Sequence, residues 1–318
     1  MTSRRTIEIG SYDALVTLKH RQLTIRRDGD IAGQIPIEEI GLLLIDTPGA
    51  TYTHLVLVEL IRQGGLVVLC GPDHLPAALV VPVDGHSLVR QRFQIQLETT
   101  EPRRKRIWQE IVRAKLRNQA AACEHAETSA RLRALAERVR SGDPENIEAQ
   151  AARLYWAHYL PQEAMFRRDR DGPAPNNFLN YGYAVVRAAV SRSLYSAGLN
   201  PMFSLFHSNR GNAFGLADDL MEAFRPWVDL AARKAYRKGH TELNRDVKAA
   251  LLGVLYARCR SGRIASTSLQ VAADRTAFAL VSRLSGESNS PLPLPRLDGT
   301  PEAGSDCDQE DAEPVQRP

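Results

Sequence analysis

Cysteine is scarce: four in 318 residues, at positions 70, 123, 259 and 307, with no Cys-x-x-Cys pair. That argues against a disulfide framework or a cysteine-built zinc site and fits a reducing compartment, the cytoplasm. Long apolar runs are missing too. The longest, such as residues 40–45, are strand-sized, far short of the roughly 18 residues a membrane span needs. No apolar leader follows Met1-Thr2-Ser3-Arg4-Arg5, and the chain passes straight into a strand-like pattern. Also absent are GxxxxGK[ST], a helix-opening GxGxxG, GxSxG and HExxH. Without them the sequence offers no P-loop, dinucleotide fold, nucleophile elbow or zincin helix.

What is present reads as a folded chain. Hydrophobic residues make up 43% and charged residues 25%, which excludes wholesale disorder. The length exceeds the ~100–200 residues of one domain. Charge is uneven: from Glu287 onward eight acids face two arginines, so this end carries −6 and residues 1–286 carry +10. A body of that charge favours a polyanionic partner such as nucleic acid.

Periodicity predicts an α+β fold in three parts. Residues 1–86 form a small N-terminal β-rich domain: strands at 6–9, 14–19, 22–26, 34–37, 41–46, 66–70 and 79–83, and a helix over 54–63 ending at Gly64-Gly65. Residues 87–286 read as a larger, all-α-helical domain rich in Ala, Leu and Arg. Residues 287–318, with six prolines and many acids, read as a disordered acidic tail.

Three segments can carry chemistry. In Ser141-Gly142-Asp143-Pro144-Glu145-Asn146-Ile147-Glu148, Gly142 ends one helix and Asp143 is a candidate cap for the next. Glu148 then stands on the shoulder of the stripe Ile147, Ala151, Leu154, His158; geometry alone makes it an ordinary first-turn acid favoured by the helix dipole. In the segment 201–212 an apolar run ends on His207 and turns polar at once, which suits a cleft and equally a structural histidine. In Ala217-Asp218-Asp219-Leu220-Met221-Glu222, the acids lie off the Leu216, Leu220, Phe224 stripe, as a solvated acidic face would. Three acids on two turns repel, however, and a cation would relieve them. Arg225 and Asp229, at i and i+4, make a simple ion pair on the following helix. Together the segments offer acid, imidazole and acid, a donor set for Mg²⁺ or Mn²⁺, with the imidazole tilting toward Mn²⁺.

These same stretches resemble a known family. Gly142-Asp143-Pro144-Glu145-Asn146-Ile147-Glu148-Ala149, then Asn177-Phe178-Leu179-Asn180-Tyr181-Gly182-Tyr183-Ala184, then His207 with Leu216-Ala217-Asp218-Asp219-Leu220-Met221-Glu222-Ala223-Phe224-Arg225-Pro226, resemble the CRISPR-associated integrase Cas1 in its type II form, subtype II-C. The resemblance spans about residues 5–285. It implies a β-rich N-terminal domain used in dimerisation and a helical catalytic domain. It also implies a metal-dependent DNA integrase and endonuclease that inserts short fragments (spacers) into a CRISPR array by 3′-OH transesterification. By position the metal ligands fall on Glu148, His207 and Glu222, with Asp219 as an additional acid. The implied partners are double-stranded prespacer and leader–repeat DNA, a homodimeric copy, a smaller adaptation protein completing a heterohexamer, and the type II effector nuclease. Backbone contacts would come from Arg103-Arg104-Lys105-Arg106 with Arg113 and Lys115, from Arg233 and Arg237, and from Arg210 near the site. Each basic stripe is equally an ordinary solvated face. Two other readings remain: a catalytically inactive nucleic-acid scaffold, and a metal-dependent nuclease acting on branched DNA in repair.

Overall fold

A computed structural model of the chain describes residues 4–10, 13–83, 86–160, 166–206 and 211–297. The β-branched N-terminal runs build two four-stranded sheets. Strands β1 (Arg5–Ile9), β2 (Leu15–Lys19), β3 (Gln22–Arg27), β4 (Asp30–Pro36), β5 (Ile40–Ile45) and β6 (Thr51–Tyr52) precede helix α1 (His54–Arg62), and β7 (Leu66–Cys70) and β8 (Pro76–Val80) follow it. One sheet has the order β4-β3-β2-β6, the other β1-β5-β7-β8, in which β1, β5 and β7 run parallel. The last strand therefore lies at 76–80 rather than 79–83, because it must pair antiparallel with β7 across the turn after Cys70.

The central strands explain how this part meets the rest. β5 is buried along its whole length, as a parallel strand covered on both faces requires. Leu43, Ile45 and Val67 pack into a small core with Val16, Leu23, Val56 and Leu60. Their neighbours Leu42, Leu44, Leu66 and Val68 point the other way, into the core of the helical part. Alternation along two strands thus joins the two parts. Polar contacts follow the same seam: Tyr181 Oη donates to Glu8 Oε1 at 2.8 Å, and Lys248 Nζ lies 2.6 Å from Asp46 Oδ2.

The helical part comprises α2 (Val89–Glu98), α3 (Glu101–Ala122), α4 (Ala126–Arg138), α5 (Ile147–Ala157), α6 (Asn176–Ser196), α7 (Gly215–Met221), α8 (Arg225–Arg237), α9 (Arg245–Leu252) and α10 (Leu269–Ser285). α6 is buried over most of its length and forms the axis on which the others pack. The all-helical expectation needs correction. β9 (Arg258–Ser261) and β10 (Ile264–Ser268) form a hairpin whose turn uses Gly262 at φ +57°, a conformation that favours glycine. β11 (Pro295–Arg296) adds to its other edge. The start of the tail also shifts. Leu292 and Leu294 are buried against the helical core, so residues 287–297 belong to the folded body. The remainder of the expected tail, 298–318, lies outside the described residues, as do positions 84–85 at the expected domain boundary.

Candidate metal and strand-transfer site

Glu148 is placed by the turn before α5. Gly142, Asp143 and Asn146 all take positive φ, folding 142–146 so that Asp143 lies beneath the helix start. Its Oδ1 accepts from Ile147 N and its Oδ2 from Glu148 N, both at 2.9 Å. Asp143 therefore satisfies two amides that a helix N-terminus leaves open. Pro144 stands in this turn, ahead of the first helical residue. The stripe is narrower than its spacing suggests: Ile147, Ala151 and Tyr155 are buried, while Leu154 and His158 are half-exposed.

Glu222 follows the last residue of α7, and its side chain is buried rather than solvated. Its Oε1 lies 2.9 Å from Arg225 Nε and its Oε2 lies 2.6 Å from Lys115 Nζ. The same Lys115 ammonium binds Glu148 Oε1. Two carboxylates far apart along the chain thus meet on one buried cation from α3. Burial alone would lower the Lys115 pKa, but Glu222 and Glu148 outweigh it and hold it above the ordinary lysine value. Arg225 is also pushed above its usual range, because Glu222 overcomes its burial, and its guanidinium stacks 4.5 Å from the Tyr183 ring centroid.

The other two acids have different duties. Asp218 pairs with Arg187 Nε at 2.7 Å and accepts from Asn212 at 2.8 Å. Asp219 is fully buried, and its Oδ2 accepts the backbone N–H groups of Leu205 at 2.6 Å and Phe206 at 3.0 Å. Phe206 stacks on Trp108 of α3, rings 4.6 Å apart and nearly parallel. Asp219 and Trp108 therefore fix the backbone that leads directly into His207. His207 itself, like Arg210, lies outside the described residues.

Beneath the site, Asp229 replaces the expected Arg225–Asp229 ion pair with a tyrosine cage. Tyr155 Oη donates to Asp229 Oδ2 at 3.0 Å, Tyr183 Oη to Oδ1, and Tyr159 Oη to the backbone carbonyl at 2.7 Å. Burial lifts the Asp229 carboxyl to about 6 against the tyrosine hydrogen bonds and the charges of Arg225 and Lys115. The three phenols are raised by burial too and stay protonated donors.

Of the basic residues expected on DNA, Lys115 and Arg233 are buried, and several others make contacts within the chain. Lys115 is enclosed by the two glutamates because it continues the inward stripe Trp108, Ile111, Lys115 of α3. Arg233 is buried and donates to the Ala122 carbonyl at 2.7 Å. Arg237 makes a two-pronged pair with Glu124, at 2.7 and 2.6 Å. Arg103 donates to the Leu284 carbonyl at the end of α10, and Arg113 to that of Val139. Lys105 pairs with Glu101 one turn earlier. Of that stretch, Arg106 stays exposed and Arg104 half-exposed. Lys115, Arg225 and Asp229 have roles at the site that sequence reasoning does not find, whereas Asp143 is the cap its position suggests. For Lys115 the available signal is the i, i+3, i+7 spacing from Trp108; for the Tyr183–Asp229 contact there is none, since it joins distant helices.

Two carboxylates converging on one positive centre are hard oxygen donors suited to a divalent cation. Among the described residues no group of three metal-binding side chains occurs, so a third ligand would have to come from elsewhere, and His207 immediately follows the anchored 205–206 backbone.

Comparison with known proteins places the chain in a family. A family model described as CRISPR associated protein Cas1 matches residues 7–255. The chain is 34% identical over 287 residues to the CRISPR-associated endonuclease Cas1 of Neisseria meningitidis serogroup C (strain 8013), covering 89% of this chain and 93% of that protein. Among solved structures it resembles a casposase bound to integration product, with a TM-score of 0.75 at 16% identity over 94% of this chain and 95% of that one. It also resembles a chain of a Cas6-RT-Cas1–Cas2 complex, with a TM-score of 0.73 at 19% identity, covering 92% of this chain and 36% of that chain. Neither structural likeness speaks to more than the fold. On the family model and the identity to the Neisseria protein, the chain belongs to the Cas1 family of CRISPR-associated proteins.

Proposed function

We propose that the chain is a metal-dependent DNA integrase and endonuclease that inserts short fragments into a CRISPR array of the type II-C kind. The observation that carries the reading is the convergence of Glu148 and Glu222 on a single cationic centre. With His207 they would hold Mg²⁺ or Mn²⁺. When bound, that ion supplies polarisation of the target phosphodiester and charge stabilisation at the transferring phosphorus.

The chain's own residues do the rest. Arg225 holds the second oxygen of Glu222 and fixes its orientation. Asp143 fixes the turn that carries Glu148, and Asp219 fixes the backbone preceding His207. The prespacer 3′ oxygen forms a new bond to phosphorus while the bond to the repeat strand's 3′ oxygen breaks. One phosphodiester replaces another, so no nucleotide triphosphate is needed, in keeping with the missing P-loop sequence. The named relatives are an endonuclease, a casposase on its integration product and a Cas1–Cas2 assembly, and they support DNA as substrate and a smaller adaptation protein as partner. A homodimer through the β-rich part, a heterohexamer with that smaller protein, engagement of the effector nuclease and a cytoplasmic site of action complete the proposal.

The test is strand transfer on a half-site substrate with Mn²⁺ or Mg²⁺, comparing the parent chain with Glu148→Gln. Joined products from the parent and none from the variant are expected. Binding without joining would favour the scaffold reading, and cleavage without joining the branched-DNA nuclease.

A further inference from the structure

Lys115 is an odd occupant for the place it holds. It is 6% exposed, comes from α3, and has its ammonium against one oxygen of Glu148 on α5 and one of Glu222 beyond α7. An ammonium moved out of water carries a large desolvation cost that only close anionic partners offset. Those partners would in turn repel each other if left facing one another with no cation. Arg225 compensates only the other oxygen of Glu222. Two carboxylates with two cations leave the cluster close to neutral, so it is stable before any metal arrives.

We infer that Lys115 is a placeholder cation: its ammonium occupies the position where Glu148 and Glu222 take a divalent ion, and it must swing away for that ion to bind. The inference rests on the metal reading of those two glutamates and concerns what guards the site. Oxygens of both glutamates already close on one ammonium, and a divalent ion at that point would draw them in further, to the ~2.0–2.1 Å that Mg²⁺ takes. A single set of oxygens cannot satisfy both cations, so the ion competes with an internal ligand at fixed and very high local concentration. Only the fraction of molecules with Lys115 displaced is competent to bind, and the apparent affinity is reduced by that fraction. The device keeps the two carboxylates together and compensated in the metal-free chain, and it sets the metal concentration at which the site loads. Lys115 is in this sense a positioning residue, not a catalytic one.

The experiment is calorimetric titration of Mn²⁺ into the full chain without DNA, for the parent, Lys115→Met and Glu148→Gln. Because Lys115→Met leaves two facing carboxylates, it is purified in Mn²⁺ throughout and stripped with chelator just before use. The expected result is Mn²⁺ binding at least about tenfold tighter in Lys115→Met than in the parent. Its melting temperature should fall in chelator and recover in Mn²⁺ by more than the parent's changes. If the parent binds Mn²⁺, Glu148→Gln does not, and Lys115→Met binds no more tightly than the parent, the placeholder role is overturned while the metal site stands. A Lys115→Met chain that fails to fold even in Mn²⁺ also overturns it, since an ion in the same place would then not replace the ammonium. Parent-like Mn²⁺ binding by Glu148→Gln would remove the metal assignment itself, and the inference with it.

Discussion

Single side chains in this protein are set by opposing charges at close range, and Asp229 shows the balance most directly. It is fully enclosed by phenols, with its carboxyl lifted to about 6 by burial although hydrogen bonds and two cations pull the other way. The ordinary aspartate value is near 3.9. The folded chain therefore binds this proton more tightly than the unfolded one. Such a group contributes its stability below about pH 4 and loses it as pH rises through about 6. Asp229→Asn is neutral at every pH and lacks this loss. Urea unfolding at about pH 4 and pH 7 should show the variant gaining on the parent with rising pH, by on the order of 2 kcal/mol. A difference that is flat with pH would mean that folding does not raise the Asp229 carboxyl. Glu148 behaves differently, because Lys115 keeps Glu222 as a partner when Glu148 is neutralised. Glu148→Gln should cost roughly 1–2 kcal/mol in a thermal melt, a small part of its effect on strand transfer.

At the scale of elements, the start of α5 couples fold to site. Asp143 accepts from the amide of Glu148 itself, so the cap and the presentation of the carboxylate are one structure. Asp143→Ala removes both hydrogen bonds and puts a side chain without polar capacity at φ +47°. The cost should be about 2 kcal/mol in denaturant unfolding, with strand transfer reduced at least tenfold. Asp143→Asn, which tolerates that backbone and keeps one acceptor, should fall between the two. Unchanged activity in Asp143→Ala would separate the cap from the site. Much of this is legible in the sequence: glycine, acid and proline before an apolar stripe announce a helix start, and the spacing places Glu148 on its shoulder. The pairing of Lys115 is not. Periodicity puts position 115 on the inner face of α3, but which acids wait there is decided by how α3, α5 and α7 cross. Charge composition likewise marks Arg103, Arg113, Arg233 and Arg237 as a surface for phosphate; packing buries Arg233 on the Ala122 carbonyl, while half-buried Arg103 and Arg113 meet helix-end carbonyls and exposed Arg237 pairs with Glu124. A basic residue near a helix terminus can meet an open carbonyl within its own fold, and composition does not distinguish that use from a ligand's.

For the whole molecule, the stretch after α10 determines more than its sequence suggests. Proline and acid content makes residues from 287 onward look like solvated chain, yet Leu292 and Leu294 are buried and β11 closes the small sheet. Leu292, Leu294 and Leu297 are set among prolines in a short run that carries little periodicity, so composition sets the boundary too early. The strap reaches the site through Asn118, one turn beyond Lys115 on α3. Its Nδ2 donates to the carbonyls of both Ala223 and Pro295 at 2.9 Å, and its Oδ1 accepts from Leu297 N at 3.2 Å. Ala223 follows Glu222, so the C-terminal strap, α3 and a metal-ligand candidate share one buried amide. Two truncations isolate the contribution of the strap. Ending the chain after residue 297 should leave the melting temperature and strand transfer at parent values. Ending it after residue 286 exposes the surface that Leu292 and Leu294 cover, at about 4 kcal/mol, and leaves Asn118 without its partners at Pro295 and Leu297. That chain should melt roughly 10 °C lower and, at a temperature where it is still folded, transfer strands more slowly, because the Ala223 carbonyl and Glu222 beside it are less firmly held. Equal melting of the two truncated chains would show that the strap contributes nothing to the body it lies on.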